Sequence, residues 1–296
     1  MIRNLLKGAA LGVVLTAATY GMASAAPVSF TWNPAGVGLN GASFTANNIV
    51  SSDFSTITLT PVSATSANFT DTGFLPITQF QLTPNVVSTP TLNASGGYGL
   101  YFQFTATGTQ QASGGNPIPG PNQTFSGTIN SLTFQLIGYT IPSGQNAAAF
   151  TFNAQNVVSA SLPAGSTSKV LAQGALVPGT GTVTLAANAL GQLNPSAQAQ
   201  TTFQPCTGAV GACTSDESAF FVAPPLNIAL DLFAAFTNTP SVILNPVTVG
   251  SSVNVGINGG GGNENFTPVP EPGSLGIFGI GLLALGMLFA TRRARR

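Results

Sequence analysis

The sequence predicts an all-β protein with an antiparallel, sandwich- or jelly-roll-like body. A secretory signal peptide precedes that body, and a single C-terminal transmembrane helix follows it. Three observations carry the prediction. Apolar and polar residues alternate with a period of two over many short segments, as half-buried strands require. Clusters of Gly, Pro, Asn and Ser separate those segments. The chain is also 44% apolar with twenty phenylalanines, enough to fill a sizeable core.

The alternation can be followed along the chain. VSFTW starts at Val28 and STITLT at Ser55. In YGLYFQFTA, Tyr98, Leu100, Phe102 and Phe104 alternate with Gly99, Tyr101, Gln103 and Thr105. SLTFQLIG sets Leu132, Phe134 and Leu136 against Thr133 and Gln135. AFTFNA from Ala149 and GTVTLAA from Gly181 are shorter candidates. LNIALDLF puts Leu226, Ile228, Leu230 and Leu232 on one face and Asn227 and Asp231 on the other. SVNVGIN repeats the pattern with Val253, Val255 and Ile257. Turns are expected at Asn33-Pro34, Ser95-Gly96-Gly97, Gly114 to Pro117, Pro163 to Gly165 and Pro178-Gly179. Three segments are short helical candidates: Asn188 to Gln192, Ser196 to Gln200, and the alanine-rich end of LDLFAAF.

The two ends read differently. Arg3 and Lys7 precede an apolar run from Gly8 to Tyr20, and Ala23-Ser24-Ala25 supplies small residues at a cleavage site. Residues 1–25 are therefore expected to be a Sec export signal removed by signal peptidase, leaving Ala26 as the new N-terminus. At the other end, residues 273–291 carry no formal charge. As a helix they would span roughly 28 Å, close to a bilayer core. Arg292, Arg293, Arg295 and Arg296 follow at once and hold the C-terminus on the cytoplasmic side. Pro270 and Pro272 flank Glu271 and disfavour helix, so that short stretch is expected to be extended and open to a processing enzyme. Between the body at 26–257 and the tail at 269–296, the Gly/Asn-rich residues 258–268 read as a flexible linker.

Pro270-Glu271-Pro272, the apolar span and the arginine cluster resemble the PEP-CTERM sorting signal. That resemblance implies a Gram-negative host and an exosortase as processing partner. It also implies a membrane-tethered precursor, and a mature protein at the cell surface or in an extracellular polysaccharide matrix.

Composition excludes several functions. Between Ala26 and Val269 the charges are Lys169 against Asp53, Asp71, Asp216, Glu217, Asp231 and Glu264, a net of −5. Such a body lacks the clustered cations that nucleic-acid binding needs. The chain has no histidine, which removes Ser-His-Asp and Cys-His chemistry. A Ser-Lys pair would depend on Lys169 with Ser166, and a carboxylate-dependent hydrolase on Asp53 or Asp71 meeting Asp216, Glu217 or Asp231. Neither pattern is favoured over solvated charge, and no enzyme activity, cofactor or metal is expected. Cys206 and Cys213 are the only cysteines, and in an exported protein they are expected to form a disulfide around a small loop.

For the body, the expectation is an extracellular structural protein that supports floc or biofilm formation by associating with exopolysaccharide. Trp32, Tyr98, Tyr101 and Tyr139 are its candidate stacking platforms, although inward-facing aromatics are commoner and each is expected in the core. A lectin-like module is the alternative, and a secreted hydrolase the second. Few charges guard the strand edges, so self-association is a further expectation. Ser29 to Thr60, Tyr98 to Thr109 and Phe220 to Thr239 resemble the flocculation-associated PEP-CTERM proteins, which implies a role in holding cells together.

Overall fold

The structure is a computed structural model. It describes residues 28–113, 123–187, 193–223, 230–235, 242–244 and 246–268. The expected signal peptide, Ala23 to Ala26 with its cleavage site, the helical candidate at 188–192, the Pro270-Glu271-Pro272 element, the membrane span and the arginine cluster lie outside these residues. Among the described residues no helix is long and apolar enough to cross a membrane.

Residues 27–269 form one compact unit. Its strands, in chain order, are β1 (Phe30–Trp32), β2 (Phe44–Ala46), β3 (Asn48–Pro61), β4 (Ser66–Leu82), β5 (Asn85–Val87) and β6 (Tyr98–Ala112). There follow β7 (Thr124–Thr140), β8 (Ala149–Phe152), β9 (Val158–Ser161), β10 (Ser168–Ala175), β11 (Thr182–Ala187) and β12 (Leu193–Pro205). The last five are β13 (Phe221–Ala223), β14 (Leu230–Ala235), β15 (Val242–Ile243), β16 (Val247–Val249) and β17 (Ser252–Pro268). Helical geometry among the described residues is confined to 3₁₀ turns at Pro34–Val37 and Ser218–Phe220.

The body is all-β and antiparallel, as the alternation requires, with apolar faces packed against each other as in a sandwich. The two walls belong to one continuous sheet. The staves β3, β4, β6 and β7 pair in succession. β10 and β11 then share one position between β7 and β12, since β7 meets Ser168–Ala175 with its C-terminal half and Thr182–Ala186 with its N-terminal half. β12 pairs β14, β14 pairs β17, and β17 returns to β3. The ring therefore closes on itself, which satisfies backbone groups that an open sheet would leave at its edges. Expected self-association through edge strands loses its basis along this ring.

Closure gives the period-two pattern its meaning. On β6, Leu100, Phe102, Phe104 and Ala106 turn inward while Gln103 and Thr105 stay exposed. The interior holds two apolar clusters. One contains Phe30, Trp32, Phe102, Phe134, Phe203 and Phe266; the other contains Leu59, Phe69, Phe125, Ile129, Val253 and Val255. The first is completed by a small sheet of β1 between β2 and β13. Trp32 is wholly buried there, with ring centroids of Phe80 at 5.0 Å, Phe221 at 5.3 Å, Phe220 at 5.5 Å and Phe266 at 5.7 Å. Outside the ring, the β8–β9 hairpin covers an apolar patch, where Phe150 meets Phe54 at 5.4 Å, Phe74 at 5.5 Å and Tyr101 at 5.7 Å.

Two expectations are corrected. Ser196 to Gln200 lies within β12, and the alanine-rich end of LDLFAAF within β14, because their backbones pair with each other in the ring. The linker at 258–268 is also strand: β17 runs unbroken to Pro268, opposite Asn48 to Leu59 on one side and Leu230 to Ala235 on the other. Its glycines have structural work. Gly259 adopts φ +77° at a bulge between Asn258 and Gly260, a conformation that side chains resist.

Trp32→Ala should test the aromatic cluster directly. Truncating a fully buried tryptophan costs about 3–5 kcal/mol. The expected result is a lower urea midpoint with an unchanged slope; an unchanged midpoint would mean that this cluster does not hold the end of the ring together.

Candidate functional site

Antiparallel pairing aligns side chains of one parity into rows across neighbouring strands, about 4.7–4.9 Å apart. On the outer face one such row runs Gln103, Gln135, Gln173, Gln204 across β6, β7, β10 and β12. The adjacent row brings together Thr72, Thr105, Thr133 and Ala175. The glutamines, Thr105, Thr133, Thr202 and Ala212 line a groove of about 390 Å³ with no charged side chain in its lining. Gln103 and Gln204 are exposed and Gln135 is half-buried.

The disulfide loop forms one wall of this groove. Cys206 and Cys213 are bonded, with their Cα atoms 5.4 Å apart. The Cys206 amide donates to Leu171 O at 2.9 Å, tying the loop to the ring. Gln173 holds the loop from the groove side: its Nε2 donates to Val210 O at 3.1 Å and its Oε1 accepts from the Ala212 amide at 2.9 Å. Thr202 is also committed, its hydroxyl accepting from the Ala175 amide at 3.1 Å. Gln103, Gln135, Gln204, Thr105 and Thr133 carry no side-chain hydrogen bond to other described residues, so their amides and hydroxyls face solvent. An amide offers donors and an acceptor together, and a hydroxyl offers both.

A second polar site lies inside the ring. On each of three neighbouring staves a carboxylate interrupts the apolar interior: Asp53 and Ser55 between Ile49 and Leu59, Asp71 between Phe69 and Leu75, Glu264 between Val255 and Phe266. Small residues make the room, since Asp53 lies opposite Gly260 and Ser55 opposite Gly73. A Cβ on Gly73 would come within 2.4 Å of the Ser55 Cβ. Glu264 accepts from the Ser51 hydroxyl at 2.6 Å and is 1% exposed. Asp53 and Asp71 are half-buried by surface area, yet one oxygen of each, one of Glu264 and the Ser55 hydroxyl are enclosed without a hydrogen-bond partner.

Burial is the main force on these groups, because it penalises the charged form. It raises Asp53 to about 7 and Glu264 to about 8. Asp71 is pushed well above the usual carboxylate range by burial and then by the charge of Asp53. The nearby Ser55 hydroxyl draws Asp53 and Asp71 back down without reaching ordinary hydrogen-bond geometry, and the Ser51 hydrogen bond does the same for Glu264. Among the described residues no group of three or more Asp, Glu, Cys or His is arranged to hold a metal ion.

The remaining sequence candidates disperse. Asp53 meets Asp71 and Glu264 rather than Asp216 or Glu217; of Asp231 the backbone pairing alone is described. Glu217 is not solvated as expected: it is 2% exposed, accepts from Ser215 at 2.7 Å and pairs with Lys169 at 3.1 Å. Asp216 is exposed and accepts from the Ser218 amide at 2.9 Å; with the Ser218 hydroxyl as first cause, its carboxyl is held below the usual range. The four aromatic candidates lie in the core, as the commoner inward-facing reading expects, and none is a platform. Trp32, Tyr98, Tyr101 and Tyr139 are 0%, 1%, 6% and 2% exposed, because each fills an apolar cluster inside or under the hairpin. The amide row was missed, although a recurrent signal was present in Phe102-Gln103, Phe134-Gln135, Ala172-Gln173 and Phe203-Gln204.

The interior carboxylates make stability pH-dependent. Their folded pKa values are raised, so from about pH 4 to about pH 8 the unfolded chain releases protons that the folded chain retains. Stability should be highest at the acid end of that window and fall on the order of a few kcal/mol as pH rises through it. Asp53→Asn should flatten the curve and raise stability at the alkaline end. Urea midpoints across the window decide this; a midpoint that rises with pH would contradict the buried cluster.

Residues 268–296 match the family model of the PEP-CTERM protein-sorting motif. That stretch contains Pro270, Glu271, Pro272 and all four terminal arginines, and it begins where β17 ends. No curated protein and no solved structure matches the chain. The motif covers the tail and leaves the body's role open: the chain carries a PEP-CTERM sorting signal, which supports export, exosortase processing and a membrane-anchored precursor of Gram-negative type.

Proposed function

We propose that the mature body is a non-catalytic component of the extracellular matrix, supporting exopolysaccharide-associated floc or biofilm formation. The observation that carries this reading is the union of the sorting motif at 268–296 with a body almost free of charge outside its core. An export route to the cell exterior delivers the protein to polysaccharide. A surface of Ser, Thr, Asn and Gln engages neutral polymer by hydrogen bonds without drawing counter-ions. The carboxylates that come together lie inside the ring between two apolar clusters, where burial raises their pKa values. A discrete saccharide-binding module is the second reading, favoured by the groove beside the disulfide loop. Bodies in the matrix would then be linked by shared polymer rather than by strand edges.

The test is genetic and chemical. In the host, the mature protein should have a mass ending between Val269 and Pro272, and that species should disappear when the exosortase is deleted. Removing the protein should slow floc sedimentation, with recovery on return of the full chain but not of a chain lacking residues 269–296. A mature mass retaining the arginines in both strains, or sedimentation indifferent to the protein, would overturn the proposal.

A further inference from the structure

We propose that the outer groove between β6, β7, β10, β12 and the disulfide loop is a binding subsite for an uncharged polysaccharide chain, running across the strands along the glutamine row. This rests on the reading of the protein as a matrix component and names the surface that makes the contact.

Four features of the groove select that ligand. Its lining offers amides and hydroxyls and no charge, so it rewards a ligand whose polar groups are neutral donors and acceptors. Among the described residues the lining gives an anionic polymer no cation and a cationic one no carboxylate. Its uncommitted amides belong to Gln103 and Gln135, on adjacent strands about 4.7–4.9 Å apart, and to Gln204, separated from Gln135 by the strand that carries Gln173. An extended chain of pyranose rings repeats on the scale of one ring, so successive sugars can meet successive strands. The floor is preorganised, since the amides project from paired strands of a closed ring. The wall is fixed as well: the disulfide closes the loop, and Gln173 spends both ends of its amide holding Val210 and Ala212. That division leaves Gln173 as a positioning residue and the other three as contacts.

Shallow hydrogen-bonding grooves bind single oligosaccharides weakly, because water competes for every group. Affinity then comes from repetition, with many bodies engaging one polymer and each raising the effective concentration for the next.

The test uses the mature protein from the host's extracellular fraction and the host's own polysaccharide, separated into neutral and acidic fractions. Wild-type protein should bind the neutral fraction. Gln103→Ala with Gln135→Ala should weaken that binding about tenfold, while Gln145→Ala, on an exposed loop away from the groove, should not. Both variants change exposed or half-buried side chains, and an unchanged urea midpoint establishes that each is folded. Undiminished binding by the double variant, or binding to the acidic fraction alone, overturns the groove assignment and leaves the matrix role intact. Absence of binding to either fraction, in a strain whose flocs still depend on the protein, overturns it too. Groove-dependent binding in a strain whose flocs do not need the protein sinks the matrix reading and keeps the subsite.

Discussion

The pairing of β17 with β3 on one side and β14 on the other is the contact on which the rest of the body depends. β17 joins the last strands of the chain to the first long one, across some two hundred residues of sequence. Without it, β3 and β14 would each present an open edge, on a chain with almost no lysine to discourage pairing with a neighbour. With it, the outer residues of every stave become one continuous uncharged surface, and the inner residues become a single enclosed space. Loop-closure entropy must be met before such a long-range contact is rewarded, so closure of the ring is expected to come late in folding.

The enclosed space is not uniformly apolar. Aromatic rings fill one end and branched aliphatics with two phenylalanines the other, and between them lies the belt of Asp53, Asp71 and Glu264. Burial raises the pKa of all three, so near neutral pH the belt carries less charge than three exposed carboxylates would. The glycines Gly73, Gly260 and Gly262 lie opposite Ser55, Asp53 and Ser51, which is why a glycine run occurs in a strand at all. A belt of this kind trades stability at high pH for space that bulky side chains would have filled.

Outside, the absence of charge and the alignment of amides are two consequences of the same composition. Gln and Thr occupy the exposed parity of strands that pair in register, so chemistry scattered through the sequence is collected into rows. The disulfide loop then borders the rows and turns a flat wall into a groove. Delivery and the proposed binding are separate devices: the tail carries the sorting signal, and the folded wall is the surface assigned to the matrix contact.

Much of this was legible in the residues. Alternation identified the long strands, because burying one face of a sheet imposes a period of two wherever side chains are large enough to show it. The sorting motif and the Cys206–Cys213 pair were legible for a different reason, since both depend on residues close together in the chain. What stayed hidden depended on distant partners. Residues 258–268 looked like a tether because glycine carries no side chain to reveal which face is buried, and only β3 and β14 make them a strand. Trp32 and the tyrosines were expected in the core because inward-facing aromatics are commoner, but which walls close over them is decided by distant strands. The glutamine row existed in the sequence as four separate residues; register, set by three successive strand pairings, is what made it a surface. Local pattern and the C-terminal sorting motif were determined by sequence alone, and the ring, the acidic belt and the groove were decided by tertiary structure, because long-range strand pairing is a property of the whole chain and not of any window within it.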